Sequence, residues 1–376
     1  MKRGVFLAIW AAALLTGALL AWNAVRDERE FRRLLALGDQ AVSAGDTLSA
    51  IDAFSGAVAL KNDSMVAYLK RGDGYRRRGE LAAALRDLRE AARLDETAPQ
   101  PAELLGDVNM AMGRHDRAAE EYRRFVELDD REPRVLYKLA LALYQSGDAD
   151  GALDPVKRAI AIDDRFVEGH YLLGVCLATT GQRNPAVRSL LRALEINPAL
   201  APAREALADV YGALGRSRDR IEQLELLAAL EPSRVERMTS VALAYADAGR
   251  RDAALTTLTH AADRYPGSPQ VLLAQARVWL DAAETDGDRG ALKNALDTLR
   301  PAATRDTASS ETLALYGRAL LIFGDADTAE LVLQQAAIRS PVERHTFSLL
   351  VDAAERLGHE AVARDALRRR AALSAP

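Results

Sequence analysis

The chain has a single cysteine among its 376 residues, Cys176. That excludes an intrachain disulfide and any metal cluster built on several thiolates. A lone thiol inside an apolar helical stretch suits a small core filler and leaves the redox compartment open. Histidine is also sparse: His115, His170, His260, His345 and His359 are scattered and never form an i, i+4 pair around a glutamate, so there is no zinc signature. There is no Gly-x-Ser-x-Gly elbow, no phosphate-binding glycine loop ending in Lys-Ser or Lys-Thr, and no dinucleotide fingerprint in a strand context. The chain is therefore expected to be no enzyme, with no cofactor and no metal. A net charge of −4 with 28% charged residues describes an ordinary wetted surface, which gives no electrostatic case for nucleic acid. The run Arg368-Arg369-Arg370 reads as the solvated face of a last helix. With aromatics at 5%, the core must come from aliphatic and small residues.

Those small residues are not scattered; they recur every 34 positions. Starting from the stretch 167–200, Gly174 steps back to Ala140, Gly106, Gly72 and Gly38, and forward to Ala208 and Ala242. Gly181 likewise corresponds to Gly45, Gly79, Gly113, Gly147, Gly215 and Gly249. A fixed period of this size marks stacked repeats, each too small to bury its own apolar face. Within 167–200 the pattern predicts one helix over 167–180 and a second over about 184–196, with Gly181 in the turn because glycine takes left-handed angles cheaply. Gly174, Ala186 and Ala193 let the two backbones approach, while Leu173, Leu177, Leu190 and Leu194 supply volume. Asp46 and Asp148, each just after a turn glycine, are candidate N-caps.

The combination Leu173-Gly174, Gly181, Ala186, Leu190, Ala193, Pro198, repeated as Tyr245, Gly249, Ala254, Ala261, Pro266, resembles the tetratricopeptide repeat family. The resemblance covers 31–376 and implies an all-α, right-handed superhelical solenoid of about ten hairpins, starting near 31, 65, 99, 133, 167, 201, 235, 269, 310 and 344. Phe125 and Leu227 stand where the pattern has alanine, Arg220 replaces the small residue of the sixth repeat, and the motif's first Trp is missing throughout. Pro155, well inside the second helix of the fourth repeat, predicts a kink or a break. In the eighth repeat Ala295 and Leu299 arrive seven residues late. The extra stretch near 282–290 carries Glu284, Asp286 and Asp288, but Gly290 and Ala295 occupy the wrong places for a calcium loop, so a lengthened polar turn is expected. The tenth repeat ends in arginines, a polar face suited to a terminal cap.

Lys2 and Arg3 precede an uncharged run whose apolar part, residues 5–22, is about long enough to cross a hydrocarbon layer of roughly 30 Å. A cleaved signal peptide competes, with Thr16-Gly17-Ala18 as its cleavage site, but apolar residues continue through Trp22 and favour an uncleaved anchor over 1–26. Residues 27–30 then form a short charged link. The basic start favours repeats outside, although Arg26, Arg29, Arg32 and Arg33 count against it. The Ala- and Arg-rich usage looks bacterial, which makes the expected site the inner membrane, single-pass, with the repeats in the periplasm.

In tetratricopeptide-like solenoids the first helices line a concave groove, which here implies a binding surface of Arg134, Tyr137, Lys138, Leu141, Tyr144, Tyr171 and Val175. Tyrosine and arginine are enriched at binding hot spots; the competing role for the tyrosines is packing between hairpins with the hydroxyl wet. Asp39, Asp73 and Asp107, beside the packing glycines, read as solvated helix residues, with Lys70, Arg76 and Arg77 nearby. Downstream, Glu205, Asp209, Glu236 and Asp247 make the surface acidic. Family members that clamp a peptide's terminal carboxylate use lysines and asparagines where this chain has Leu35, Ala36, Asp39 or Leu69, Lys70, Asp73, so that clamp is absent. The expected function is a membrane-anchored scaffold for a protein partner, its identity open, within an envelope assembly or export machine. Self-association into homo-oligomers and a cytoplasm-facing tethered regulator are the alternatives.

Overall fold

The computed structural model describes residues 2–373, with side chains described from residue 20 onward and at Leu15 and Thr16. Among the described residues there are twenty α-helices and no strand, paired in chain order into ten hairpins. They fall into two compact units, Met1–Pro198 and Ala199–Pro376. The first unit holds α1 (Lys2–Ser43) with α2 (Thr47–Leu60), α3 (Met65–Arg78) with α4 (Leu81–Leu94), α5 (Gln100–Ala111) with α6 (His115–Leu128), α7 (Pro133–Gln145) with α8 (Leu153–Ile162), and α9 (Val167–Thr179) with α10 (Arg183–Ile196). The second holds α11 (Ala201–Ala213) with α12 (Ser217–Leu230), α13 (Val235–Asp247) with α14 (Arg251–Arg264), α15 (Pro269–Asp286) with α16 (Arg289–Ala303), α17 (Ser310–Phe323) with α18 (Ala326–Ala336), and α19 (Arg344–Leu357) with α20 (Glu360–Ala372).

The hairpin turn is built as the period predicts. Gly181 has φ +77°, its N–H reaches the carbonyl of Ala178 at 3.0 Å, and the Gln182 N–H reaches back to Leu177 at 2.8 Å. This pair of bonds satisfies carbonyls that the helix end would otherwise orphan. The other six turn glycines also have positive φ. Inside the hairpin the glycines serve close approach instead: a Cβ on Gly106 would lie 2.4 Å from the Tyr122 ring, and one on Gly174 2.6 Å from Leu190. The fourth hairpin has Ala140 and Val156 at these two places, an added methyl matched by a smaller partner. Phe125 and Leu227 are absorbed into the core, 4% and 0% exposed.

Arg220 occupies a place where Ala186 and Ala254 are 0% exposed. A guanidinium cannot be left there unpaired. It runs past Gly212, where a Cβ would come within 3.3 Å, and ends on Asp247 at 2.8 Å. Cys176 is fully buried, and burial pushes its thiol up to about 11. The thiolate is the reactive form, so iodoacetamide at pH 8 should leave the native chain unlabelled, with labelling appearing only as denaturant opens the first unit. Labelling of the folded chain at the rate of a free thiol would contradict this burial.

Three expectations change. Pro155 neither kinks nor interrupts a helix: α8 starts late, at Leu153, so that the proline falls in its first turn, where no N–H is needed. Asp148 consequently does not cap α8; its carboxylate accepts the Gly151 N–H at 2.8 Å in the turn before it, whereas Asp46 caps α2 through the Ser49 N–H at 3.1 Å. The charged stretch 27–30 is no separate link but part of α1, which runs unbroken into the first hairpin, with Glu28 paired to Arg32 at 2.6 Å and to Lys61. Among the described residues no helix is long and apolar enough to cross a membrane. The span expected over 5–22 falls mostly on residues whose side chains lie outside that description.

The late eighth repeat is accommodated by lengthening α15 to Asp286, turning at Gly287 with φ +65°, and capping α16 with Asp288, which accepts the N–H groups of Gly290 and Ala291 at 2.8 and 3.0 Å. The displaced Ala295 and Leu299 are buried, 0% and 1% exposed. Glu284 instead binds Arg318 at 2.6 Å and Asp286 binds Arg251 at 2.5 Å, so the three carboxylates go to three different partners.

Candidate partner-binding surface

Consecutive first helices touch within each unit: α3 meets α5 and α7 meets α9 in the first, while α13, α15, α17 and α19 form a continuous row in the second. On α7, Arg134 is exposed and Tyr137, Lys138, Leu141 and Tyr144 are half-buried; on α9, Tyr171 and Val175 are half-buried. Tyr137 sets its ring edge-on against Phe166, with centroids 5.3 Å apart at 69°. Burial raises its phenol above the ordinary tyrosine value, and Glu168 and Tyr171 add to the rise. Tyr137 therefore both packs hairpin four against hairpin five and reaches the neighbourhood of Tyr171.

Lys138 faces the other way along the stack. Its ammonium meets Glu103 at 2.7 Å and Asp107 at 2.8 Å, and lies 5.9 Å from the Tyr122 ring. Burial alone would lower its pKa, but the hydrogen bonds to Asp107 and Glu103 outweigh it and leave the lysine above its usual range. The Tyr122 hydroxyl donates to Asp107 at 2.7 Å, and burial together with that carboxylate holds the phenol protonated. Lys138 thus ties hairpin four to hairpin three and is not held open for a ligand.

Nor are the three periodic aspartates merely solvated. Asp39 accepts from Lys70 at 2.6 Å, Asp73 from Arg76 and Arg77 at 2.8 and 2.7 Å, and Asp107 from the network just described. In the second unit Glu205 pairs with Arg237 at 3.0 Å, and burial, then Glu205, pushes the Asp209 carboxyl up. A further cluster was not anticipated: Arg277 binds Glu311 at 2.6 Å and Arg318 binds Asp281 at 2.9 Å, lining with Arg220, Asp247 and His345 a cavity of about 380 Å³. The signal for it is opposite charges 34 or 37 positions apart, close to one period. Exposed pairs of this kind contribute little each in water, but they neutralise the surface they cover.

Among the described residues no group of three or more histidines, cysteines or carboxylates is arranged to hold a metal ion. What distinguishes hairpins four and five is a patch rich in apolar and aromatic groups, Tyr137, Leu141, Tyr144, Tyr171 and Val175, with Arg134 exposed at its edge.

Residues 103–165 and 167–200 match models of the tetratricopeptide repeat. The match falls on hairpins three to five, and the remaining hairpins share their helical pairing. No curated relative matches the chain. Among solved structures, YrrB, described as a tetratricopeptide-repeat protein with an unusual peptide-binding site, is 20% identical over 51% of this chain and 98% of its own, at a TM-score of 0.47. MamA is 23% identical over 43% of this chain and 95% of its own, at 0.42. PilF of Pseudomonas aeruginosa is 21% identical over 57% of this chain and 98% of its own, at 0.45.

Proposed function

We propose that the chain is a non-enzymatic scaffold, anchored in a bacterial inner membrane through residues 5–22, that holds a segment of a protein partner against the first-helix surface of hairpins four and five. The supporting observation is the patch around Tyr137, Tyr144 and Tyr171. It lies on two first helices in direct contact and stays half-buried, whereas the flanking surface is covered by ion pairs at Lys138 and Lys70. Apolar and aromatic groups that are already partly desolvated and fixed by packing lose little on binding. Tetratricopeptide repeats are generally protein-interaction scaffolds, which supports the non-enzymatic reading. The apolar run behind Lys2 and Arg3 supports the anchor and a periplasmic placing of the repeats; the assembly served would then be one of the envelope.

A photo-crosslinking amino acid placed at Tyr144 in cells should capture a discrete partner that the same group at exposed Arg188, on α10, does not. Equal capture from both positions would refute the assignment of the surface.

A further inference from the structure

The lengthened eighth repeat is bordered by a cleft. With α15 extended and α16 displaced, a cleft of about 760 Å³ opens between α16 and the ninth hairpin. Leu292 and Leu296 form one wall, and Tyr316 and Leu320 on α17 form the floor. At its lip stands Phe323, 66% exposed. The regular hairpins have Ala44, Arg78, Met112, Ser146, Thr180, Leu214 and Ala248 at that place, and none of these is aromatic. Phe323 extends the apolar side of a cleft whose other side is charged, so the lining offers an incoming segment both kinds of contact.

The charges at the rim say by what. Asp288 and Asp325 are committed to the N-termini of α16 and α18, accepting backbone N–H groups at 2.8 to 3.1 Å, where the helix dipoles offset their charge. Arg289 and Lys293 project from α16 at i and i+4, both exposed; Asp297, also exposed, follows one turn later. The uncommitted charge nearest the cleft mouth is thus positive.

We propose that this cleft is a second docking site, for an acidic segment of a protein partner whose aromatic or aliphatic side chains enter beside Phe323 while its carboxylates meet Arg289 and Lys293. It is independent of the surface on hairpins four and five.

The test uses the full chain and two fluorescein-labelled synthetic peptides with the same Leu and Phe positions, one carrying Glu and the other Lys at every polar position. Anisotropy should show the Glu peptide binding at least tenfold tighter. Phe323→Ser should cost at least tenfold, Tyr144→Ala should leave the affinity unchanged, and Arg289→Glu with Lys293→Glu should invert the preference. The charge reversal keeps the test open if Phe323→Ser disturbs folding, because both residues are on the surface. Equal binding of the two peptides, no binding, or affinity insensitive to the charge reversal overturns the proposal. So does a change in light-scattering mass of the peptide-free chain on Phe323→Ser, which would assign the cleft to a second copy.

Discussion

Gly106→Ala should destabilise the chain by about 1–3 kcal/mol, the range for overpacking a filled interior, even though alanine is the better helix former by close to 1 kcal/mol. The two effects oppose each other, and the distances decide between them. The new methyl would stand 2.4, 2.6 and 2.7 Å from three carbons of the Tyr122 ring. The ring cannot retreat freely, because its hydroxyl is held by Asp107 at 2.7 Å and the side chain is 1% exposed. The fourth hairpin suggests the rescue. With Tyr122→Val in the same chain, the hairpin acquires the Ala and Val of positions 140 and 156, and the two changes should couple favourably by about 1–2 kcal/mol in a double-mutant cycle. The single valine variant, which creates a void and removes one of Asp107's two side-chain partners, serves as the other corner. Additive denaturation free energies would show that the glycine is not there for the ring. Gly181→Ala is the contrast: nothing lies within 4 Å of its Cβ site, so any loss there comes from φ +77° alone.

That difference between position and reach also separates what could be read in the amino acids from what could not. Turn glycines and glycine-to-large-residue pairs are properties of one hairpin, set by local angles and by helix spacing, and a period of 34 exposes them directly. The helices predicted over 167–180 and 184–196 agree with α9 and α10 to within one residue at each end. Pro155 breaks no helix because α8 starts late, at Leu153, and that shift takes the capping role from Asp148. Lys138 lies on a first helix, but its partners Glu103 and Asp107 lie 35 and 31 positions back, in the preceding hairpin. Whether a lysine crosses that gap depends on the rise between hairpins, a tertiary quantity. The cleft beside Phe323 is the extreme case. The seven additional residues were evident, but which way they displaced α16, and what that uncovered, is decided by packing.

The buried pair in the second hairpin carries the largest single loss we expect. Arg71 donates through Nε and Nη2 to the two oxygens of Asp87 at 2.6 and 2.9 Å, with the side chains 18% and 10% exposed. The Tyr68 ring lies 5.4 Å from the guanidinium carbon. Asp87→Ala should cost about 3 kcal/mol, the lower end for breaking a buried pair, because it leaves a partly desolvated cation with no carboxylate partner. Most of that cost belongs to the stranded charge, not to the worth of the pair, and the neighbouring repeats provide the means to prove it. The place of Arg71 is taken by Leu105, Leu139 and Leu173 in the next three hairpins, and that of Asp87 by Ala53 in the first. Arg71→Leu combined with Asp87→Ala therefore gives this hairpin the Leu37 and Ala53 that the first hairpin carries at the same places. It should regain stability to within about 1 kcal/mol of the parent or exceed it, as apolar replacements of buried ion pairs often do. Denaturant unfolding of the four corners of the cycle reads this directly. A double variant no more stable than Asp87→Ala would mean that the pair organises hairpin two in a way that leucine and alanine cannot.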